Sequence, residues 1–467
     1  MRRKPMHKSD AEFLTKTQFL DSLSDEARLH LLAALKPVKL SAGERLMSQG
    51  EAGDCFYIIR SGTGVVSVEK DVVLKPIAIV GPGETVGEIA VLTGERRSAH
   101  VDAQTDMRLW KLDGVGVESI CSRHPEVWQF LTEVVAARFA RSTVIADRTI
   151  GKYVINEFVG RGGWSIVYKG VHATLNMPVA IKMLRHNLAA QPEFLDGFEN
   201  EASIIGGLNH ENIVKVYDIE HLYRTVFIIM EYVQGRALSS ILRSVKRLPL
   251  TRALHILLQV CSGLEYAHKS GIVHGDVKPS NILIREEDKA KILDFGLACA
   301  PGTIRSSMAG TPHYAAPEQI NKGLLDERSD IYSLGIAAYR IITGHYAFSA
   351  SDARSLLRMH LTADIPDPRS LVPDLPDELY TFLTRATRKN PAERYQNIGR
   401  IINELEPLSE RLGVQVASES TDHQNMKSLL LLYRNEHREM IERLVADFGS
   451  EINKTGAVLC EADYKKS

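Results

Sequence analysis

The stretch His274-Gly-Asp276-Val-Lys278-Pro-Ser-Asn281 precedes a short apolar run, Ile282-Leu-Ile, that has the composition of a strand. A second such run, Lys291-Ile-Leu, leads into Asp294-Phe295-Gly296, and Ala316-Pro-Glu318 closes the segment. Each motif therefore stands in a strand or loop context, although each alone could arise by chance.

Upstream, glycines and a lysine form a candidate phosphate site. The loop Gly160-Arg-Gly162-Gly-Trp-Ser165-Ile-Val167 lies between two β-like runs, 153–158 and 166–169. Glycines serve ordinary turns, but they also let backbone N–H groups approach phosphates closely, and Val167 would cap the base of a nucleotide. Val179-Ala180-Ile-Lys182 follows as a strand, and Glu201 lies in an acidic helix. A lysine held by a glutamate can grip the α- and β-phosphates.

These motifs, in this order, resemble the protein kinase family over residues 153–408. The resemblance implies a bilobal protein kinase fold with ATP and Mg²⁺ (or Mn²⁺) as cofactors. It implies that Asp276 orients or accepts the proton of the substrate hydroxyl, and that Asn281 and Asp294 hold the metal ion. Catalysis would then rest on alignment and on neutralisation of charge.

The same resemblance implies a set of ATP contacts. Lys182, braced by Glu201, would position ATP, Met230 resembles the gatekeeper, and Glu231-Tyr-Val233 resembles the hinge that meets adenine through backbone groups. The implied ATP-binding residues are Gly160, Gly162, Ser165, Val167, Ala180, Lys182, Met230, Glu231 and Val233.

The substrate class follows from the residues around the catalytic aspartate. Lys278, two positions after Asp276, resembles the signature of Ser/Thr kinases and joins the catalytic set. Thr311 in Gly310-Thr-Pro-His-Tyr supports the same choice. The resemblance therefore implies protein substrates with a Ser or Thr acceptor.

Two positions depart from the family pattern. Ser165 replaces a glycine and keeps the loop amides. Gly275 replaces the arginine that normally meets a phosphate on the activation loop. We therefore expect activity to be independent of such a phosphate, although hydroxyls are available at Thr303, Ser306 and Ser307.

The segment before the kinase motifs has a different pattern of apolar residues and glycines. Between residues 38 and 112 short apolar runs are broken by glycines, a pattern that favours a closed or double-sheet β architecture. Within it, Gly87-Glu88-Ile89-Ala90 is followed by Arg97-Ser98-Ala99. Arg97 can pair bidentately with an anionic cyclic phosphate, Glu88 can accept from a ribose 2′-OH, and the Gly87 and Ala90 amides add donors. A buried turn could also carry these glycines for shape alone.

This stretch resembles the phosphate-binding cassette of cyclic-nucleotide-binding domains, and the wider match runs over residues 13–139. The resemblance implies a β jelly-roll flanked by helices. The implied binding residues are Gly87, Glu88, Ile89, Ala90, Arg97, Ser98 and Ala99. Serine after the arginine occurs in bacterial cAMP receptors of this kind, so we expect cAMP rather than cGMP. The helix after Pro125 would be the lid, and its Trp128 or Phe139 could stack on the base or belong to the core.

Composition limits the partners. The formal net charge is -1 over 467 residues, which gives no argument for nucleic acid as a partner. The basic N-terminus lacks an apolar signal region, so we expect no signal peptide. No apolar stretch approaches the length of a membrane span, so we expect no transmembrane helix. Five dispersed cysteines, Cys55, Cys121, Cys261, Cys299 and Cys460, fit reduced thiols in the cytoplasm.

The sequence thus predicts an α+β multidomain protein with five parts. These are a flexible N-terminus (1–12), a cyclic-nucleotide-binding domain (13–146), a linker (147–152), a protein kinase domain (153–408) and a C-terminal extension (409–467). The extension contains an amphipathic pattern that predicts a helix, which could form a homodimer or pack on its own kinase domain.

Three functions compete for this arrangement. The first is a Ser/Thr kinase regulated by a cyclic nucleotide, with a coupling of about 1–3 kcal/mol and either sign. The second is a pseudokinase scaffold, which usually lacks one of three residues that this chain retains, Lys182, Asp276 and Asp294. The third is a constitutive kinase whose N-terminal domain serves only for docking.

Overall fold

The computed structural model describes residues 24–413, with gaps at 71–72, 94–95, 125–126, 128–131, 133–134, 137–138, 140–147, 296–297 and 305–310. The predicted flexible N-terminus and the predicted C-terminal helix lie outside the described residues, as do Trp128, Ser306 and Ser307. All described residues except Gly413 belong to one of the two units into which the chain divides, Met1–Leu412.

The N-terminal domain consists of two four-stranded antiparallel sheets with helices at its ends. The strand orders are β1-β8-β3-β6 and β2-β7-β4-β5. Its strands are β1 (Lys36–Leu40), β2 (Arg45–Met47), β3 (Cys55–Ser61), β4 (Gly64–Lys70), β5 (Val73–Val80), β6 (Thr85–Val86), β7 (His100–Ala103) and β8 (Met107–Asp113). Its helices are α1 (Asp25–Ala34), α2 (Glu88–Thr93) and α3 (Gly114–Arg123). The predicted jelly-roll domain is confirmed.

Alternation of side chains builds the core between these two sheets. In β8, buried Met107 and Leu109 flank exposed Arg108, so one face of the strand meets the core and the other meets water. Two of the helices begin at residues that satisfy their first N–H groups: Ser24 caps α1, and Asp113 accepts from the Gly116 N–H at 2.8 Å at the start of α3.

The next segment forms the N-terminal lobe of the kinase fold around a six-stranded sheet of order β13-β14-β12-β11-β10-β9. Its strands are β9 (Thr149–Ile150), β10 (Tyr153–Arg161), β11 (Ser165–His172), β12 (Pro178–Leu184), β13 (Val216–Leu222) and β14 (Thr225–Glu231). Its helices are α4 (His186–Ala189) and α5 (Pro192–Gly206). Strand β9 lies inside the segment predicted as a linker and pairs with Tyr153 and Val154, so the sheet begins before residue 153.

The C-terminal lobe is mainly helical. Its helices are α6 (Leu238–Val245), α7 (Leu250–Lys269), α8 (Pro317–Ile320), α9 (Glu327–Thr343), α10 (Ala353–Thr362), α11 (Asp377–Ala386) and α12 (Ile398–Arg411). Its strands are β15 (Arg236–Ala237), β16 (Ile282–Ile284), β17 (Ala290–Ile292), β18 (Thr303–Ile304) and β19 (Leu324–Leu325). In α7 the buried Leu254, Leu257, Cys261 and Leu264 repeat at helical spacing and pack into the lobe's core. The predicted bilobal kinase fold is confirmed.

Two findings bear on the predicted environment. Among the described residues, no helix combines the length and apolar character that crossing a bilayer requires. The four cysteines in the described part of the chain, Cys55, Cys121, Cys261 and Cys299, are free thiols.

Candidate active site and effector site

The catalytic loop brings an acid, a lysine and an amide together. Oδ2 of Asp276 accepts from Lys278 Nζ at 2.5 Å and from Asn281 Nδ2 at 3.2 Å. Lys278 Nζ also donates to Thr311 Oγ1 at 2.6 Å. Asn281 Nδ2 donates to the Asp276 backbone oxygen at 3.0 Å as well, so the amide nitrogen is held within the loop and Oδ1 is the atom suited to a metal ion.

Asp330, in the first turn of α9, holds this loop in place. The residue is fully buried and accepts from the backbone N–H groups of His274 (2.8 Å) and Gly275 (2.7 Å) and from His268 Nε2 (2.7 Å). Burial alone would raise the pKa of Asp330, but these donors outweigh burial and lower it. Gly275 has φ +74°, a conformation that glycine adopts without strain. Glycine therefore suits this backbone but brings no cation to the activation loop.

Lys182 on β12 joins the two lobes through its ammonium group. Nζ donates to Glu201 Oε1 at 2.7 Å, to Glu201 Oε2 at 3.0 Å and to Asp294 Oδ1 at 2.8 Å. Burial disfavours the charged lysine, but the Asp294 and Glu201 carboxylates outweigh burial and raise the pKa of Lys182. The Lys182 charge in turn lowers the pKa of Asp294. The lysine, one glutamate from α5 and one aspartate from the opposite lobe thus form one charged cluster.

The remaining predicted ATP-binding residues lie on strands of the N-lobe sheet, in the β10–β11 turn or just after β14. The β10–β11 turn and its flanking strands contain Gly160, Gly162, Ser165 and Val167. Across this turn the Gly162 N–H donates to the Ser165 backbone oxygen at 2.8 Å. Ala180 pairs with Met230 across β12 and β14. Glu231 ends β14, and Val233 follows, 9% exposed.

The sequence did not predict two cationic side chains that make contacts around this site. Lys291 Nζ pairs with Glu231 Oε2 at 2.7 Å, and Arg185 Nη2 donates to the Gly162 oxygen at 2.9 Å. The paired residues are 60 and 23 positions apart, and no motif shows which residues pair. These two contacts hold Glu231 of the hinge and the Gly162 backbone of the glycine-rich loop in position.

A buried ion pair stabilises the C-lobe next to the catalytic loop. Arg394 is 1% exposed and donates to Glu318 Oε1 at 2.7 Å and Oε2 at 2.9 Å. Its other donors reach the backbone oxygens of Arg328, Lys389 and Arg388. Because the guanidinium is fully hydrogen-bonded, the pair can persist out of water.

The N-terminal domain carries a cavity beside α2 and the Arg97 segment. It is lined by Met47, Val66, Val86, Gly87, Glu88, Ala90, Arg97, Ser98, Ala99 and Val101. Six of the seven predicted cyclic-nucleotide residues therefore line one cavity, whereas the Ile89 side chain lies outside the described part.

Arg97 packs tightly in this cavity. Its Nη1 donates to the Gly87 oxygen at 2.7 Å, and Nη2 donates to the Cys55 oxygen at 2.6 Å. Gly87 has φ +83°, and a Cβ there would lie 2.4 Å from Arg97 Nη1. Only glycine allows both this backbone conformation and this approach of the guanidinium. The sequence did not single out Cys55.

Phe139 contacts the kinase lobe. Its side chain is 3% exposed, and its ring meets Tyr168, Tyr223 and Phe227 edge-on, with centroids 5.4, 5.5 and 6.4 Å apart. Of the two roles considered for Phe139, the structure shows the core role rather than stacking on a base in the cavity.

These observations define a class of protein: a jelly-roll domain with a candidate anion site, followed by a two-lobed fold with a Lys–Glu–Asp cluster. Residues 153–404, more than half of the chain, match the family described as "Protein kinase domain", and residues 37–124 match "Cyclic nucleotide-binding domain". The chain belongs to the protein kinase family.

Curated relatives agree with this assignment. The serine/threonine-protein kinase PknL of Mycobacterium tuberculosis is 36% identical over 267 residues, 56% of this chain and 67% of PknL. PrkC of Bacillus subtilis is 37% identical over 257 residues, 54% of this chain and 40% of that protein. A Clostridium perfringens protein named "Probable serine/threonine-protein kinase CPE1738" is 36% identical over 278 residues, 59% of this chain. The chain spans 41% of the length of that last relative.

Proposed function

We propose that the chain transfers the γ-phosphate of ATP to Ser or Thr hydroxyls of proteins, and that a cyclic nucleotide regulates this transfer. For the first part, the charged groups around Asp276 and Lys182 supply what phosphoryl transfer needs, which is alignment and neutralisation of charge. Asn281 and Asp294 offer oxygen ligands, the type that Mg²⁺ prefers. Bound Mg²⁺ would neutralise phosphate charge.

Each residue around the substrate hydroxyl has a distinct task in this proposal. Asp276 accepts or orients the hydroxyl proton, and Lys278, 2.5 Å from its Oδ2, holds that carboxylate and offers positive charge to the transferred phosphoryl group. Lys182 holds the α- and β-phosphates, and Glu201 fixes the lysine. An Asp276→Asn variant should lose nearly all phosphotransfer to a Ser/Thr peptide while still binding ATP.

For the effector, the cavity around Arg97 supports a cyclic nucleotide, and Ser98 supports cAMP over cGMP. Arg97 carries the charge for the phosphate, and Glu88, which is 3% exposed and lines the same cavity, can accept from the ribose. We expect calorimetry to show one cAMP per chain and an Arg97→Glu variant to show none.

The observation that carries the regulatory proposal is the contact between the helix after the jelly-roll and the kinase N-lobe. Val127, Val135 and Phe139 of this helix share one hydrophobic cluster with N-lobe residues such as Tyr168 and Phe227. We call the helical residues Val127, Thr132, Val135, Ala136 and Phe139 the connecting helix.

A buried polar contact joins the connecting helix to the segment between Lys182 and Glu201. Thr132 Oγ1 lies 3.0 Å from His186 Nδ1 and accepts from the His186 backbone N–H at 2.9 Å. His186 Nε2 lies 2.7 Å from the Tyr223 oxygen, which can only accept, so Nε2 carries the proton and Thr132 donates to Nδ1. His186 begins α4, between Lys182 on β12 and Glu201 on α5. We therefore expect movement of Thr132 to change the Lys182–Glu201 contact through His186.

One observation favours a second candidate, a constitutive kinase with a docking domain. The Arg97 guanidinium already donates to two backbone oxygens, at Gly87 and Cys55, and it would have to share or leave them to bind a phosphate. Calorimetry with cAMP and cGMP on the wild type and on Arg97→Glu separates the candidates. Absence of heat with both nucleotides would leave the docking role.

Two finer predictions remain proposals. A cytoplasmic location rests on the dispersed cysteines, and a homodimer rests on the predicted C-terminal helix. Light scattering on the full chain and on a chain ending at residue 413 should show whether the extension carries a dimer contact.

A further inference from the structure

We propose that Glu26, His30 and His124 form a binding site for a divalent transition-metal ion of the Zn²⁺ type. Their ligand atoms, one carboxylate oxygen and two imidazole nitrogens, all lie within 4.8 Å of one another. Nitrogen and carboxylate oxygen are ligands that Zn²⁺ accepts, and three protein ligands leave a fourth position for water. The site lies outside the cavity around Arg97 and outside the kinase lobes.

Helix geometry brings the first two ligands together. Glu26 and His30 are four residues apart on α1, so their side chains lie on one face of the helix. Both side chains are exposed, which gives an ion access from solvent.

The third ligand comes from the end of another helix. His124 is 7% exposed and caps α3, donating its backbone N–H to the Ile120 oxygen at 2.8 Å. The carbonyl end of a helix carries partial negative charge and favours a cation. The anchored backbone fixes where the His124 ring can lie.

The two imidazoles face each other through ring nitrogens. His30 Nδ1 lies 2.5 Å from His124 Nε2, and the ring centroids are 4.8 Å apart with a 45° tilt. Two ligands at the usual Zn–N distance in a tetrahedron are about 3.3 Å apart, so side-chain shifts of about 1 Å bring these donors onto one ion. The further shift that brings in the Glu26 carboxylate falls on an exposed side chain.

The site would connect α1 to the start of the connecting helix. Ala27 and Leu31 of α1 already pack in one cluster with Val117 and Ile120 of α3. The His124 oxygen accepts from the Val127 N–H at 3.0 Å, so an ion on His124 is next to the segment that leads to the kinase. A bound ion should therefore stabilise the N-terminal domain.

Titration of the chelator-treated full chain with ZnCl₂ alone tests the proposal. We expect calorimetry and elemental analysis to show a site that weakens at least about tenfold in His30→Gln and in Glu26→Gln. Zn²⁺ should raise the melting temperature of the wild type and of His221→Gln, a control at an exposed histidine that lies beside Glu199 and does not belong to the cluster of Glu26, His30 and His124.

Glu26→Gln keeps the test decisive if a histidine variant folds poorly, because Glu26 is exposed and its replacement leaves the core intact. Equal Zn²⁺ affinity in the wild type, Glu26→Gln and His30→Gln would overturn the proposal. Absence of Zn²⁺ binding by the wild type at 1:1 stoichiometry would overturn it too, and would leave the two histidines as a hydrogen-bonded pair.

Discussion

Replacing Phe139 with leucine should weaken the contact between the connecting helix and the kinase N-lobe. The Phe139 ring makes three edge-on contacts, with Tyr168, Tyr223 and Phe227. Such aromatic pairs contribute about 0.5–1.5 kcal/mol each beyond burial of area. Leucine retains most of the apolar area, so we expect the free energy of unfolding to fall by about 2–3 kcal/mol.

The response to the effector should fall with this contact. Allosteric coupling typically amounts to about 1–3 kcal/mol, or 5–150-fold in a rate or affinity ratio. A loss of 2–3 kcal/mol at the contact is of the same size, so it should remove most of the coupling. We expect the ratio of phosphotransfer rates with and without saturating cAMP to approach one in Phe139→Leu.

Phe382→Leu provides the matched control. Phe382 is fully buried in the C-lobe and has a ring contact with Tyr395 at 6.3 Å. This variant should lose stability in urea unfolding while its rate ratio stays at the wild-type value. Our reasoning would be refuted if Phe139→Leu lost the expected stability yet kept the wild-type rate ratio.

Three further predictions concern stability and activation. Arg394→Ala should lower the free energy of unfolding by about 3–5 kcal/mol, because it leaves the Glu318 carboxylate, only 10% exposed, without its charged partner. Arg411→Ala, at an exposed pair, should cost no more than about 1 kcal/mol. Equal losses in urea unfolding would contradict the buried-pair argument. Burial lowers the pKa of His186 to about 4, so the unfolded chain binds the proton first as the pH falls. This group should lower the free energy of unfolding by roughly 3 kcal/mol between about pH 6.5 and 4. In urea titrations at several pH values, His186→Gln should reduce the dependence of the free energy of unfolding on pH. An unchanged pH dependence would count against this role of His186. Because Gly275 offers no cation to an activation-loop phosphate, phosphotransfer should stay nearly intact in a triple alanine variant, and complete loss would refute this. The replaced hydroxyls are those of Thr303, Ser306 and Ser307.

The two folds could be predicted because their signals are local. In the kinase segment, Asp276, Lys278 and Asn281 lie within six residues, and the loop backbone alone brings them into contact. Lys182 and Glu201 are 19 residues apart but lie on a strand and on the second helix after it, an order that a motif can capture.

The contacts between domains could not be predicted in the same way. The Thr132–His186–Tyr223 contact joins three segments, and none of its members belongs to a motif. Phe139 could have packed in either domain, because helical periodicity indicates which face is buried but not against which partner. The facing imidazoles of His30 and His124, 94 positions apart, likewise depend on how two helices pack.

Phosphotransfer by the full chain, measured with Mg²⁺-ATP while cAMP or cGMP is titrated, tests the central claim most directly. We predict that the rate changes with a midpoint set by Arg97 and by about 5–150-fold at saturation, with cAMP acting at lower concentration than cGMP. A rate that stays constant across both titrations, in an enzyme that does phosphorylate Ser or Thr, would contradict regulation by a cyclic nucleotide.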